Sequence, residues 1–522
     1  MKGEPRLAEL IASLSLATDL GLGLPQEHVL RQTVIAMRLA EAAGLDHAAQ
    51  ADTFYVSLLA WVGCIADSHE LSRWFGDDRQ IRADSYQVDK VGLPMMRLML
   101  THVGADAPPL RRITTIGRFL TGGFRDAVDG FVAHCQTTGD VADRLGMNAR
   151  VKVALSQAFE RWDGKGVPGT AGGEQIEAVM RVVQIADDAE VFCSTGGPDA
   201  AGVMLRSRRG SEFDPALVAT CLAHSERIFS GLHEVDAWSL VIEACPDLDR
   251  PVRLAELDQM LEIFADYADL KSPWYLGHSR AVSALADAAA VEMSCSAADR
   301  ALVRRAGLVH RLGATGVSTS IWNKPGRLSA AEQERVRQVP YFTERILSRQ
   351  PTLAGIGSIA GMAFERSDGT GYPRGLRAAA IPVPARILAA AAAYQDLAEE
   401  RPTRPALPFP QRRAALLADV DAGRLDAAAA RAVLAAAGHA VGRRTRLVAG
   451  LTAREAEVLE LLVRGLANKQ IAARLSVTPR TVATHIEHVF TKTGVSTRGA
   501  AAMFALRHGL VDAGGTSAER PM

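Results

Sequence analysis

A chain of 522 residues, 48% of them apolar, has material for about three separately cored domains. Lysine plus arginine and aspartate plus glutamate both total 59, so the formal charge is zero. That excludes a generic polyanion binder and leaves nucleic-acid contact to local basic stretches. Aromatic residues are only 5% and alanine is abundant, which predicts a mainly helical chain. Six scattered cysteines with no CxxC pair argue against a zinc knuckle or a disulfide framework and fit a reducing cytosol. Residues 1–20 carry charge throughout, unlike a secretory leader, and no apolar run of about 18 residues is evident. The expectations are no membrane partner and a cytoplasmic location.

In chain order, the first feature is a repeat. His28 stands 32 residues before Ala60 in a Leu-Leu-Ala-Trp-Val-Gly-Cys run, and His278 stands 32 residues before His310 in a Leu-Val-His-Arg-Leu-Gly-Ala run. The run from Ala158 through Phe159-Glu160-Arg161 to Gly166-Val167-Pro168 returns 205 residues later as Ala363-Phe364-Glu365-Arg366 to Gly371-Tyr372-Pro373. Arg181 and Arg386, each opening the next helix, keep the same offset. A duplicated helical unit explains these pairs. Asp187 follows Arg181 on the first of those helices, and Ala392 takes its place after Arg386. The run Arg401-Pro402-Thr403-Arg404-Pro405 reads as a connector, and 438–450 reads as a linker.

Within 451–510, Thr452 and Glu455 form a capping box that opens a helix with Val458, Leu459, Leu462 and Val463 on one face. Gly465 ends it. Ile471, Ala472 and Leu475 face inward from a short second helix. Thr478 caps a third, with Pro479 at its first position and Val482, Ile486 and Val489 inside. Its outer face shows Ala483, Thr484, Glu487, His488 and Thr491. Two short helices and a third with a small, polar outer face make a reader of the DNA major groove. The basic residues around it are Arg443, Arg444, Arg446, Lys469, Arg474, Arg480, Lys492 and Arg498. The last helix, from Arg498, shows Ala502, Met503 and Leu506, which suit either a dimer contact or a core face.

The 451–510 stretch resembles the LuxR-type (GerE-like) DNA-binding domain. The resemblance rests on Leu451-Thr452-x-Arg454-Glu455, Val458-Leu459, Gly465, Asn468-Lys469-x-Ile471-Ala472, Thr481-Val482, Lys492, Gly494-Val495 and Arg498, with Thr493 where the family has Leu. By position it implies base contacts from Ala483, Thr484 and Glu487. It implies phosphate contacts from Lys469, Arg480, Thr481, Lys492 and Arg498. Both upstream halves resemble HD-GYP domains, an all-helical branch of the HD phosphohydrolases, the second half more closely through Asn323-Lys324-Pro325-Gly326 and Glu365-x-x-Asp368-Gly369-x-Gly371-Tyr372-Pro373.

The HD-GYP resemblance implies His and Asp ligands for two or three metal ions that activate water against a phosphodiester, typically cyclic di-GMP. In the second half His278 and His310 remain, but Arg311 takes the place of the doublet's Asp. Val339, the Ala363-Phe364 pair and Ala392 take the places of the other ligands. In the first half only His28 and Asp187 remain. The loss disfavours a hydrolase and makes the surviving histidines structural. Gly371-Tyr372-Pro373 is a candidate small-molecule pocket or a structural turn.

The expected fold is all-α: HD-GYP-like domains at 1–235 and 236–440, a linker at 441–449, a four-helix LuxR-type helix-turn-helix domain at 450–512, and a disordered tail at 513–522. The expected function is a DNA-binding transcriptional regulator whose degenerate halves sense or dimerise. Double-stranded DNA, a second copy of the chain and a nucleotide-like effector are its expected partners. No cofactor is expected. The alternative is a metal-dependent phosphodiesterase joined to a DNA reader, for which iron or manganese would be needed.

Overall fold

A computed structural model describes residues 4–105, 107–246, 250–439 and 448–511, without the side chains of 124–129 and 439. The expected tail at 513–522 and most of the expected linker, 441–447, lie outside the described residues, as do Arg443, Arg444 and Arg446. The elements are α-helices joined by short helical turns, and the described residues contain isolated bridges but no strand. Contacts divide the chain into two compact units, one reaching Arg253 and the other starting at Leu254. The first unit therefore runs past the expected boundary at 235. The physical reason is the helix Ala237–Glu243, which packs back onto His28–Ala42.

Each unit is organised around a helix that begins on a histidine. In the first, His28–Ala42 packs against His47–Leu59 and Ala178–Arg208. In the second, His278–Glu292 packs against Ala297–Val309, Val383–Ala398 and Ala427–His439. The chain enters both helices through a left-handed residue, Glu27 at φ 70° and Gly277 at φ 77°. A buried aspartate holds each entry. Asp19 accepts from the Glu27 and Val29 amides at 2.8 and 3.0 Å, and Asp269 accepts from the Ser279 amide and hydroxyl at 2.8 and 2.7 Å. A carboxylate facing the unpaired amides of a helix start is well placed electrostatically. The sequence reading singled out neither aspartate.

His47–Ile65 is apolar and long enough by composition to cross a membrane, which the sequence reading did not anticipate. Its stretch is 72% buried inside the first unit, as expected of a core helix.

The repeated Glu-Arg and Gly-x-Pro motifs build the same loop twice. The buried Glu365 carboxylate accepts from the Arg374 and Leu376 amides, both at 2.8 Å. Glu160 accepts from the Thr170 and Ala171 amides at 2.7 and 3.2 Å. Gly371 and Gly166 lie so close to the preceding chain that a Cβ would meet backbone. At Gly371 it would sit 2.2 Å from the Arg366 nitrogen, and at Gly166 2.5 Å from the Glu160 Cα. Close backbone approach, not turn geometry, is what demands glycine there.

In the C-terminal domain the local signals act as read. Thr452 and Glu455 form a reciprocal capping box, Thr478 caps Pro479–Thr493 through the Thr481 amide, and Gly465 has φ 85°. Val458, Leu462, Ile471, Ala472 and Val482 share one core with Ile486 and Phe490 against it. Ala502, Met503 and Leu506 are buried in the helix Arg498–Arg507, which packs on Ala453–Val463, so this face is core.

Gly371→Ala is expected to lower unfolding stability by about 1–3 kcal/mol, the usual effect of overpacking against an unyielding neighbour. Urea titration checks it, and an unchanged midpoint would contradict the close-approach role.

Candidate functional site

The histidine that opens each central helix faces the helix led by the repeated arginine, and this is where the two units differ. In the first unit His28 is fully buried and both ring nitrogens meet carboxylates: Nδ1 donates to Glu190, and Nε2 to Asp187 at 3.0 Å. Burial pulls the imidazole down, but Glu190 and Asp187 outweigh it and push it up to about 10. Burial lifts Glu190, yet the charges of His28 and Arg31 hold it down at about 2. His28 is thus an imidazolium with no lone pair for a metal.

The remaining charges of the first unit are neutralised from within. Between the Ala60 position and Ala158 this half is longer than its counterpart between His310 and Ala363, and the extra segment supplies Tyr86 and Lys90. The Tyr86 hydroxyl donates to Asp187 at 3.2 Å, and Lys90 Nζ reaches both Asp188 oxygens at 3.1 Å. Arg208 lies 3.4 Å from Asp188 and 3.3 Å from Glu212. The cavity beside this network is about 200 Å³, with Trp61, Phe75, Phe131 and Phe159 among its walls.

In the second unit the acid that meets the histidine has moved. Asp187 and Glu190 correspond by the repeat to Ala392 and Gln395, while Ser194 corresponds to Glu399. Glu399, the residue that caps the C-terminal end of the helix Val383–Ala398, accepts from His278 Nδ1 at 2.7 Å and from Arg401 at 2.6 Å. The sequence reading missed this exchange of one acid for another a turn away. Arg401, read as part of a connector, is buried and lies 4.0 Å from the Tyr275 ring centroid.

His310 is fully buried, with Nδ1 donating to the Gly307 carbonyl at 2.8 Å. Burial, then the His278 and Arg311 charges, hold it well below its ordinary range, so the ring is neutral. Its Nε2 is a lone pair with no partner. The expectation of a satisfied structural histidine therefore fits His278 but not His310. Both line a cavity of about 490 Å³ with Tyr275, Arg311, Trp322, Phe364, Arg366 and Tyr372. Of the Gly371-Tyr372-Pro373 triplet only Tyr372 lines it, stacked on Phe364 at 5.3 Å with the planes 5° apart. Val339 and Phe364, at positions where the HD-GYP resemblance implies ligands, join an apolar cluster with Ala314, Val317 and Ile321.

Iron or manganese at this place would meet two imidazoles and a guanidinium, and the carboxylates that also line the cavity, Asp396 and Asp419, are already paired with arginines. No group of three or more His, Cys, Asp or Glu able to hold a metal occurs among the described residues. The donor set does not fit a di-metal centre, since such ions need several converging anionic oxygens as well as imidazole.

On the recognition helix Pro479–Thr493, Thr484 and Glu487 are exposed and Ala483 is half-buried, all on the outer side. The Thr484 hydroxyl donates back to the Arg480 carbonyl at 3.2 Å. Lys469, Arg480 and Thr481 are exposed. The other two expected phosphate contacts also hold the fold together. Lys492 Nζ meets the buried Glu455 carboxylate at 2.6 and 2.9 Å, and Arg498 donates to the Leu466 carbonyl at 3.1 Å. Lys492 and the Thr452 amide hold Glu455 at about 2.

Two outcomes follow. His28→Asn should destabilise the chain by about 3–5 kcal/mol in denaturant titration, because it strands buried carboxylates. The raised pKa of His28 means that its contribution is complete below about 6.5 and fades as pH rises towards about 10. The gap between wild type and variant should shrink over that window; a gap that widened would show that His28 is not charged. Lys492→Ala should lower the melting temperature of the C-terminal domain, whereas a lysine serving DNA alone would leave it unchanged.

Comparison with known proteins agrees with this architecture. Residues 262–428 match the HD domain family, and residues 449–505 match the bacterial regulatory proteins of the luxR family. The 3′3′-cGAMP-specific phosphodiesterase 3 of Vibrio cholerae is 31% identical over 77% of this chain and 88% of its own length. A cyclic di-GMP phosphodiesterase of Thermotoga maritima is 33% identical over 28% of this chain and 40% of its own. A putative HTH-type transcriptional regulator of Mycobacterium bovis is 48% identical over 11% of this chain and 7% of its own. The crystal structure of a cyclic GMP-AMP phosphodiesterase of V. cholerae aligns with TM-score 0.59 and 28% identity, covering 84% of this chain and 99% of that one. The chain belongs to the HD-GYP family of HD-domain proteins and carries a LuxR-type DNA-binding domain at its C-terminal end.

Proposed function

We propose that the protein is a transcriptional regulator of the LuxR type, and that its tandem HD-GYP-like region senses or dimerises rather than hydrolyses. One observation carries the reading. At the place where a hydrolytic centre needs anionic ligands, the second unit offers Arg311 and two imidazoles, while the helix-turn-helix core is complete. The proposed base contacts are Ala483, Thr484 and Glu487; threonine methyls and alanine suit thymine, and a carboxylate accepts from cytosine N4. Lys469, Arg480 and Thr481 are the proposed phosphate contacts, with Lys492 and Arg498 sharing that task with their structural one. A DNA partner is in keeping with a cytoplasmic location, and a homodimer would read twofold sites. The nucleotide-like effector belongs in the second unit's cavity.

A second reading has one observation in its favour. The V. cholerae relative that matches most of this chain's length is named for cGAMP-specific phosphodiesterase activity. Under that reading the chain would cleave a cyclic dinucleotide with iron or manganese.

Two measurements test the proposal. Incubation of the purified chain with manganese or ferrous iron and cyclic di-GMP or 3′3′-cGAMP should release no linear product; turnover would establish the phosphodiesterase. In binding titrations on duplex DNA, Lys469→Ala and Arg480→Ala should each weaken affinity for every sequence and reduce the salt slope by about 1. Glu487→Ala should change which sequences are selected from a random pool. If all three variants bound and selected DNA as the wild type does, the assigned docking face would be wrong.

A further inference from the structure

The geometry points to Arg311 as the phosphate-binding group of a metal-free nucleotide site in the second unit, with His310 Nε2 accepting a hydrogen bond from the same ligand. This deepens the sensory reading above and rests on it.

The first observation is an uncompensated cation. Arg311 is only 5% exposed, yet its side chain makes no hydrogen bond or ion pair among the described residues, and its Nε is buried without a partner. The guanidinium lies 3.5 Å from the Tyr275 ring centroid and 4.8 Å from that of Trp322. Ring faces attract a cation but do not replace a counter-anion. The nearby carboxylates are already committed. Glu399 is bonded to His278 and Arg401, Asp396 is paired with Arg401 and Arg404, and Asp419 with Arg424, while Asp269, which feels the Arg311 charge, is bonded to the Ser279 amide and hydroxyl and pushed up to about 8 by burial. The other buried arginines of the two sites, Arg31, Arg161, Arg208 and Arg401, all have carboxylate partners. Arg311 is set apart by facing a cavity instead, and an anion entering it would supply what the chain does not.

The second observation is independent of the first. His310 directs its Nδ1 proton to the Gly307 carbonyl, and its buried Nε2 has no partner, which leaves Nε2 as an acceptor in that tautomer. A bare anion cannot satisfy it; the ligand must also carry an N–H or O–H. The third concerns size and walls. About 490 Å³ is within the usual range for a small-molecule site and far exceeds what phosphate or a carboxylate would fill. Trp322, Phe364 and Tyr372 give it flat aromatic surface suited to stacking a base. An anion, a hydrogen-bond donor and a planar ring in one molecule describe a nucleotide. The arginine provides at the former metal position a fixed positive charge that attracts phosphate but generates no hydroxide, so binding is separated from cleavage.

Calorimetric titration of the full chain in EDTA tests the assignment. The probes are 5′-GMP, 5′-AMP, the dinucleotide GpG, guanosine and inorganic phosphate. At least one of the phosphate-bearing nucleotides should bind. The GpG arm tells a diester from a monoester. Guanosine and phosphate should each bind at least ten-fold more weakly than the best nucleotide. Arg311→Gln should lose at least ten-fold in affinity for that nucleotide, Arg311→Lys should recover part of it, and His310→Phe should weaken binding. The melting temperature of ligand-free Arg311→Gln should stay level or rise, because an uncompensated buried charge has been removed; a purely structural arginine would lower it. Wild-type affinity in Arg311→Gln, or no binding of any nucleotide, would overturn the site and leave the DNA-binding regulator standing. Binding that appears only with added manganese, and ends in a cleaved dinucleotide, would overturn the non-hydrolytic reading itself.

Discussion

Compensation of buried charge is the constraint on which both helical units depend. Each is built around a helix that starts with a buried histidine, and a buried ion is tolerated only when partners surround it. The first unit meets this constraint from its own chain. His28 takes two carboxylates, and Lys90, Arg208 and Tyr86 take up the rest. The opposite charge of each partner, and then the hydrogen bonds between them, keep His28 and Glu190 ionised against the pull of burial. The second unit meets it only in part. Glu399 serves His278 and Arg401, and Arg311 is left facing space. One duplicated scaffold has thus reached two electrostatic outcomes, one filled by itself and one open.

The same principle operates on a smaller scale in the C-terminal domain. Glu455 caps the first helix and is buried, so it needs a cation, and Lys492 at the end of the recognition helix provides it. The pair ties the first helix, Ala453–Val463, to the third, Pro479–Thr493. The orientation of Pro479–Thr493 is therefore fixed against the first helix by an ionic contact as well as by the apolar core around Val458, Ile471 and Val482.

Much of the fold was legible in the residues alone. The capping boxes, Pro479 at a helix start, the inward face of Val482 and Val489, and the repeat from Ala158 to Ala363 depend on neighbours within one or two turns, or on identity between two stretches. The boundary at 235 was misplaced because Ala237–Glu243 is held by packing on His28–Ala42, which its own composition does not encode. His47–Ile65 showed too weak an apolar signal to stand out, although its burial is evident in three dimensions. Gly371 reads from sequence as part of a structural turn or of a small-molecule pocket. Its actual requirement, contact with the backbone of Glu365 and Arg366, exists only once the loop has folded back.

The sequence by itself determined the all-helical class, the duplication and the helix-turn-helix pattern of the C-terminal domain. Those follow from periodicity, caps and residue identity. Only the tertiary structure decided how the remaining charges are settled. His28 and Glu190 are 162 residues apart, Arg401 and His278 are 123, and Lys492 and Glu455 are 37. No local pattern reveals that Glu399 replaces Glu190 one turn away, that Lys90 enters from an inserted segment, or that Arg311 is left without a carboxylate. Burial and ion pairing arise when distant segments share one low-dielectric space, so they can be read only after the chain has closed around them.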